Sequence, residues 1–464
     1  MGWRSHALVL LAVVGLCAGM WVVFYPAAME TIAIVNKNSS APGRQWRNGV
    51  RVAVVWPQRL EGASKLNPST SRLPWLANRL PRGPIAQAFI RLREVPLPSY
   101  PEGLRVALNI LREQEILQNL TPLADRIELV RFYEPSFPLA EDAASLADQV
   151  IQDKSVVAVV GHYSSPSAIE ASIVYEKHRV LFITPTATVP ELTKRGFYYT
   201  FRLTPDDGDL ALTIAMFAKQ RGYAKVGVLY PRTQQGESLK KRLTGKARIT
   251  GLEVVFTTSY FGDPSEWNDM DDYRPLAAKI RRSGVEAILM ADELPRAAKL
   301  IMDLRSMQVM QPILGSDYMD SPSLIELAGV AAQNVYVTSA VDPNTNTAAY
   351  IAFKERYLKM FGILPSYAAS QGFETMQLLY TAIRLANSAE PLALANRFRT
   401  VDSWPSMFDP FRFSEEGTIE CRSISVKVTE VAQMRFSSLV TPGPKGTRLP
   451  FSFEPKGRSL TACP

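Results

Sequence analysis

Residues 156–188 read VVAVVGHYSSPSAIEASIVYEKHRVLFITPTAT, and the fold is decided there. Five apolar residues in a row, Val156–Val160, suit a strand buried on both faces, because a strand with one wet face would alternate. Gly161 permits a sharp exit from that strand, and Pro166 suits the first turn of a helix whose pattern runs over Ala168–Lys177. A second buried strand, Val180–Ile183, follows directly. A strand, a helix and another continuous apolar strand form a parallel βαβ unit covered on both faces.

The same alternation extends outward in both directions. Upstream lie a strand at Val50–Trp56, a helix at Glu102–Glu115, a strand at Arg126–Phe132 and a helix at Glu141–Gln152. Beyond Pro205 the cycle starts again: helix Leu210–Gln220, strand Lys225–Tyr230, helix Ser238–Leu243 and strand Leu252–Thr257. It continues with helix Pro275–Ser283, strand Ala287–Met290, helix Pro295–Ser306, strand Pro312–Leu314 and strand Val335–Ser339. Two such runs predict an α/β chain of two doubly wound parallel-sheet lobes. Long amphipathic helices are expected at Ala348–Phe361 and Ser370–Ala386, and short β-rich segments over 408–438.

The 464 residues suffice for two or three domains with their own cores, and a composition of 47% hydrophobic and 21% charged residues is that of a folded chain. The net charge of +8 is modest for this length, and no basic helix is interleaved with aromatics, so nucleic acid is not an expected partner. Near the N-terminus Arg4 precedes an uncharged stretch, Ala7–Tyr25. It reads equally as a cleaved secretory signal or as an uncleaved membrane anchor. Residues 29–48 are polar and turn-rich and read as a linker. Residues 57–101 are irregular and strongly basic (Arg59, Lys65, Arg72, Arg79, Arg82, Arg91, Arg93), and read either as a partner- or membrane-facing insertion or as a solvated one without a role. Cys421 and Cys463, the only cysteines outside the apolar stretch, either pair and staple the tail in an oxidising compartment or are unrelated thiols. No metal-ligand spacing exists among the cysteines.

Ligands of open parallel sheets sit outside the carboxyl ends of strands. Two such turns here are rich in hydroxyls. In the first, Ser164, Ser165 and Ser167 accompany the free N–H groups of a helix start and form an anion cradle suited to a carboxylate. In the second, Thr186 and Thr188 offer hydroxyls, and backbone carbonyls near Ala187 can accept from an ammonium. Each turn also has a purely local reading, since serine and threonine cap helices and Thr188-Val-Pro-Glu191 fits a capping box. Catalysis finds little support. The histidines are His6, His162 and His178, and no HExxH, GxSxG, phosphate-loop or dinucleotide motif occurs. His162 and Ser164 lie too close along one turn to act as base and nucleophile. No cofactor and no metal site is expected.

Taken in order, these residues resemble the type I periplasmic binding proteins, in the branch that binds leucine, isoleucine and valine. The likeness runs from Val156 through Ser167 to Val174-Tyr-Glu176. It continues at Ile183-Thr-Pro-Thr-Ala-Thr-Val-Pro-Glu-Leu-Thr193, Arg195-Gly196 and Phe201-Arg-Leu-Thr-Pro205. Weaker matches fall at Val226–Tyr230, Leu314-Gly-Ser-Asp317 and Pro365-Ser-Tyr-Ala-Ala-Ser370, while Tyr133-Glu134 stands where the family's second strand ends. The resemblance implies two α/β lobes joined by three crossover hinge strands that close on a small-molecule ligand. It implies that Ser165, Thr186 and Thr188, with the Ala187 backbone, hold a carboxylate and ammonium, and that Asp317 closes from the second lobe. Two departures stand out. Gln235 precedes Gly236 where the family carries an aromatic, and Glu293-Leu294 replaces a tyrosine pair. Both make the second lobe's half more polar, favouring a polar or cationic side chain, or an amide, over a branched aliphatic one. The alternative reading of Glu293 is a cap on the helix opening at Pro295.

The expected layout is a signal or anchor at 1–28, a linker at 29–48, and a first lobe at 49–203 plus 343–402 with the basic insertion 57–101. A second lobe at 204–342 plus 403–440 and a tail at 441–464 complete it. The expected function is capture of an amino acid or related small amide outside the cytoplasm and its delivery to an ABC permease. A membrane-tethered ligand sensor or accessory subunit of the same fold is the alternative, held at the inner membrane by the N-terminal segment.

Overall fold

The computed structural model describes residues 49–57, 100–134, 140–260, 273–294, 296–321, 323–342, 345–430 and 435–438. The apolar stretch 7–25, the linker, residues 58–99 of the basic insertion, Cys17, Cys463 and the tail beyond 440 lie outside them.

The first sheet has five parallel strands: β1 (Val50–Pro57), β2 (Ile127–Glu134), β3 (Val156–Gly161), β4 (Leu181–Thr184) and β5 (Thr200–Arg202), in the order β2-β1-β3-β4-β5. The central strands β1, β3 and β4 are nearly continuous apolar runs because both faces are covered, while the edge strand β2 exposes Glu128, Arg131 and Tyr133. In β1, Val50, Val52, Val54 and Trp56 enter one core, while Ala53 and Val55 enter another. The side-chain period of two along a strand makes that division. Helices α1 (Tyr100–Leu117), α2 (Ala140–Val150), α3 (Ser165–Lys177) and the short α4 (Glu191–Lys194) connect these strands.

The second sheet begins after α5 (Asp207–Gln220). It comprises β6 (Lys225–Pro231), β7 (Glu253–Tyr260), β8 (Ala287–Met290), β9 (Ile313–Gly315) and β10 (Val335–Ser339), all parallel. Helices α6 (Gln234–Ile249), α7 (Arg274–Ser283), α8 (Arg296–Ser306) and α9 (Ser323–Ala328) join them. Here too a core lies on each face. The chain then returns to the first lobe as α10 (Ala348–Phe361), α11 (Tyr367–Ala386) and α12 (Pro391–Thr400), whose apolar faces fill its larger core. Helix α12 was not expected from the sequence; it opens on Pro391, which suits a first turn.

The boundary of the second lobe differs from expectation. Trp404, Met407, Phe411, Phe413 and Ile419 are buried in the first lobe's core, around the small hairpin of β11 (Arg412–Phe413) and β12 (Ile419–Glu420). The chain therefore joins the second sheet at β13 (Ser425–Glu430), not at 403. β13 pairs antiparallel with β10, and β14 (Arg435–Ser438) pairs antiparallel with β13, so this sheet is parallel with an antiparallel edge. Among the described residues the chain passes between the sheets after β5, after β10 and before β13. The last crossover is pinned to α11: Glu374, almost fully buried, accepts from Ser406 Oγ at 2.7 Å, from Met407 N at 2.6 Å and from Arg422 Nη2 at 2.7 Å.

Two glycines let α1 and α11 touch. A Cβ on Gly103 would stand 1.9 Å from Ala369 O, and one on Gly372 would stand 2.2 Å from Tyr100 O. Cys421 is disulfide-bonded, and its partner lies outside the described residues.

Candidate functional site between the lobes

The turn after β3 is fixed from below. Gly161 has φ +138°, and a Cβ there would lie 2.0 Å from Val55 O, so the sharp exit needs glycine. His162 is fully buried, with Nδ1 2.9 Å from Glu134 Oε1 and Nε2 2.9 Å from Tyr175 OH. The other Glu134 oxygen accepts from Tyr163 N at 3.1 Å. The end of β2 thus clamps the turn, and His162 is a structural strut rather than a base poised over Ser164.

Above this strut the hydroxyls divide into two sets. Ser164 is the N-cap of α3: its Oγ accepts from Ser167 N at 3.3 Å and lies 2.8 Å from Ser167 Oγ. Those two serines serve the helix end. Ser165 is different. Its Oγ accepts from Thr188 N at 3.2 Å, tying the two hydroxyl turns together, and lies 3.3 Å from Tyr318 OH. Thr186 donates to Tyr163 O at 2.8 Å, and the buried Ala187 directs its N–H to Thr184 Oγ1 at 3.3 Å. Thr188 does not cap α4, whose N-cap is Pro190. Instead Thr188 Oγ1 lies 2.6 Å from Tyr318 OH, and the Thr188 carbonyl accepts from Asp207 N at 2.9 Å.

Tyr318 and Asp317 come from the second lobe, in the 3-10 turn that follows β9. Asp317 Oδ1 is buried without a hydrogen-bond partner, as are Asp207 Oδ1 and Ser316 Oγ. Burial pushes the Asp317 carboxyl well above the usual carboxylate range, and the neighbouring Asp207 and Asp320 push it further. Burial likewise raises Asp207, against the pull of Thr188, Arg242 and Arg202. Asp320 is matched by Lys427, whose Nζ donates at 2.8 Å. The Tyr163 ring meets Trp56 edge-on at 5.4 Å, and its phenol is pushed up to about 12 by burial and by the charges of Glu293 and Asp317. Glu293 is 39% exposed and pairs with Arg296 at 3.5 Å. Gln235 falls in the first turn of α6, and its side chain lies outside the described residues.

The structure therefore brings Ser165 and Thr188 together on Tyr318 of the second lobe, the chain neighbour of Asp317. Ser164, Ser167, Thr186 and Ala187 stand beside it with local hydrogen-bond partners. Sequence reasoning missed Tyr318, Asp207 and Tyr163. Tyr318 adjoins the noted Asp317. Asp207 lies one residue past Asp206, whose carboxylate caps α5 by accepting from Gly208 N at 2.7 Å and Asp209 N at 3.0 Å, so the pair reads as helix-start chemistry. Among the described residues no group of three His, Cys, Asp or Glu is arranged to hold a metal ion, and no helix is long and apolar enough to cross a membrane.

Comparison with known proteins adds sequence and fold relatives. The family model described as periplasmic binding protein matches residues 140–432. A Leu/Ile/Val/Thr-binding protein of Salmonella typhimurium is 24% identical over 304 residues, covering 64% of this chain and 78% of that protein. A leucine-, isoleucine-, valine-, threonine- and alanine-binding protein of Pseudomonas aeruginosa is 27% identical over 288 residues, covering 60% and 73%. Among solved structures, an ABC transporter substrate-binding protein from Desulfitobacterium hafniense in complex with Leu superposes with a TM-score of 0.66 at 20% identity, covering 84% of this chain and 99% of that one. A solute-binding protein from Rhodopseudomonas palustris in complex with benzoate superposes with a TM-score of 0.62 at 16% identity, covering 84% and 95%.

Proposed function

The chain belongs to the periplasmic binding protein family, a family of binding proteins rather than enzymes, and from that premise we propose that it captures a small nitrogen-bearing solute, an amino acid or related amide, between its two lobes and presents it to an ABC permease. One observation carries this reading. Ser165 and Thr188 of the first lobe meet Tyr318 of the second, and Asp317 beside Tyr318 in the chain and Asp207 each carry a buried oxygen without a partner. Buried polar groups without partners are costly in a finished structure and are explained when a ligand completes them. The relatives named for branched-chain amino acids and for ABC transport support the solute class and the permease. The family is extracytoplasmic, which fits a solute collected outside the membrane.

A thermal-shift screen of amino acids, amides, short acids and amines tests the reading. A matching solute raises the melting temperature in proportion to the logarithm of its concentration above Kd. No shift with any member of the screen would refute it. The apolar stretch 7–25 favours a second reading, a membrane-tethered sensor with the same clamp. Fractionation of the mature protein decides between them, because a trimmed, freely soluble form rules out the tether.

A further inference from the structure

Tyr318 occupies the place in which the hydroxyl turns would hold a carboxylate. Thr188 N–H goes to Ser165 Oγ at 3.2 Å. The Tyr318 hydroxyl lies 2.6 Å from Thr188 Oγ1 and 3.3 Å from Ser165 Oγ, so it already engages the hydroxyls of both turns. A carboxylate arriving here meets a phenol ring on the groups that would bind it. A ligand of the opposite charge meets the reverse situation. Asp207, 4% exposed, and Asp317 each keep a buried oxygen with no partner, and both carboxylates act on the Tyr318 phenol. The half-exposed ring of Tyr163, which senses Glu293 and Asp317, offers an aromatic wall.

We propose that Tyr318 stands in for a ligand carboxylate, so that the cleft selects a small organic amine that carries no carboxylate and seats its ammonium on Asp317 and Asp207. This rests on the reading that the cleft binds a small solute, and narrows it. The ammonium supplies the donors that both unpartnered oxygens lack, and its charge offsets that of two neighbouring carboxylates. The amino-acid carboxylate, by contrast, would have to displace Tyr318 and lie beside the same two acids.

Calorimetric titration of amino acids beside the amines lacking only their carboxylate tests the proposal: leucine with 3-methylbutylamine, lysine with 1,5-diaminopentane, arginine with agmatine. The wild-type chain should bind at least one amine more tightly than its parent amino acid, by about ten-fold or more. Tyr318→Ala, which empties the cradle, should reverse that preference within the pair. Tyr318→Phe, which keeps the ring in place, should still disfavour the amino acid, and it guards against a folding defect in the alanine variant. Tighter binding of the amino acids by the wild-type chain, or an unchanged preference in Tyr318→Ala, overturns the proposal while leaving the solute-binding reading intact. Silence from every compound here and in the broader thermal-shift screen overturns both.

Discussion

Asp317 couples stability to pH with a definite sign. Its carboxyl is held well above the usual range by burial first and by Asp207 and Asp320 after it. Of the other groups facing it, Tyr163, Tyr318 and Tyr367 stay protonated, Asp320 is paired with Lys427, and Asp207 is raised like Asp317. The folded chain keeps the Asp317 proton where the unfolded chain has lost it. Its favourable contribution is therefore complete below the ordinary carboxylate value and is lost as pH rises through the raised one. Asp317→Asn should stabilise the ligand-free protein at neutral pH by about 1 kcal/mol, because the amide needs no proton taken up on folding. Urea unfolding from the carboxylate range up to neutrality should show a shallower fall in stability for the variant, with the remainder due to Asp207. A variant less stable than wild type at neutral pH would contradict this. At this scale the sequence was half legible. Ser165 and Thr188 stood out because hydroxyl turns after buried strands have a known use, and Asp317 only through the family resemblance. Tyr318 did not, because nothing in a lone tyrosine states that it reaches across to another lobe.

At the scale of elements, α1 and α11 depend on bare backbone contact. Gly372→Ala would set a methyl 2.2 Å from Tyr100 O, a backbone atom that moves only with its helix. The variant should lose about 1–3 kcal/mol, the usual cost of overpacking, read by chemical denaturation. Unchanged stability would mean that the helices separate freely. Strand and helix identities were largely readable, because continuous apolar runs and 3.6-residue patterns are local signals. Helix starts were less so: α3 begins at Ser165 and α6 at Gln234, ahead of the apolar pattern, since Ser164 and Thr233 start them by side-chain capping. The first lobe's claim on 404–419 was hidden for another reason. Trp404, Phe411 and Phe413 pack on Phe398 and one another, contacts between distant elements that carry no periodic trace.

For the molecule as a whole, Tyr318 links the lobes without any solute, holding Thr188 at 2.6 Å and Ser165 at 3.3 Å from across the gap. The crossovers seen among the described residues leave the lobes free to rock, so such bridging contacts weigh on the balance between open and closed forms. Ligand-free Tyr318→Ala should accordingly show a larger radius of gyration than the wild-type chain in small-angle scattering, and equal values would mean that other contacts hold the lobes. The central claim, that a solute is gripped between the lobes by both of them, is tested most directly by amide hydrogen exchange with and without the solute that the thermal-shift screen selects. The account predicts slowed exchange at 162–168 and 186–190 in the first lobe together with 316–320 in the second; protection confined to one lobe, or found only elsewhere, would contradict it.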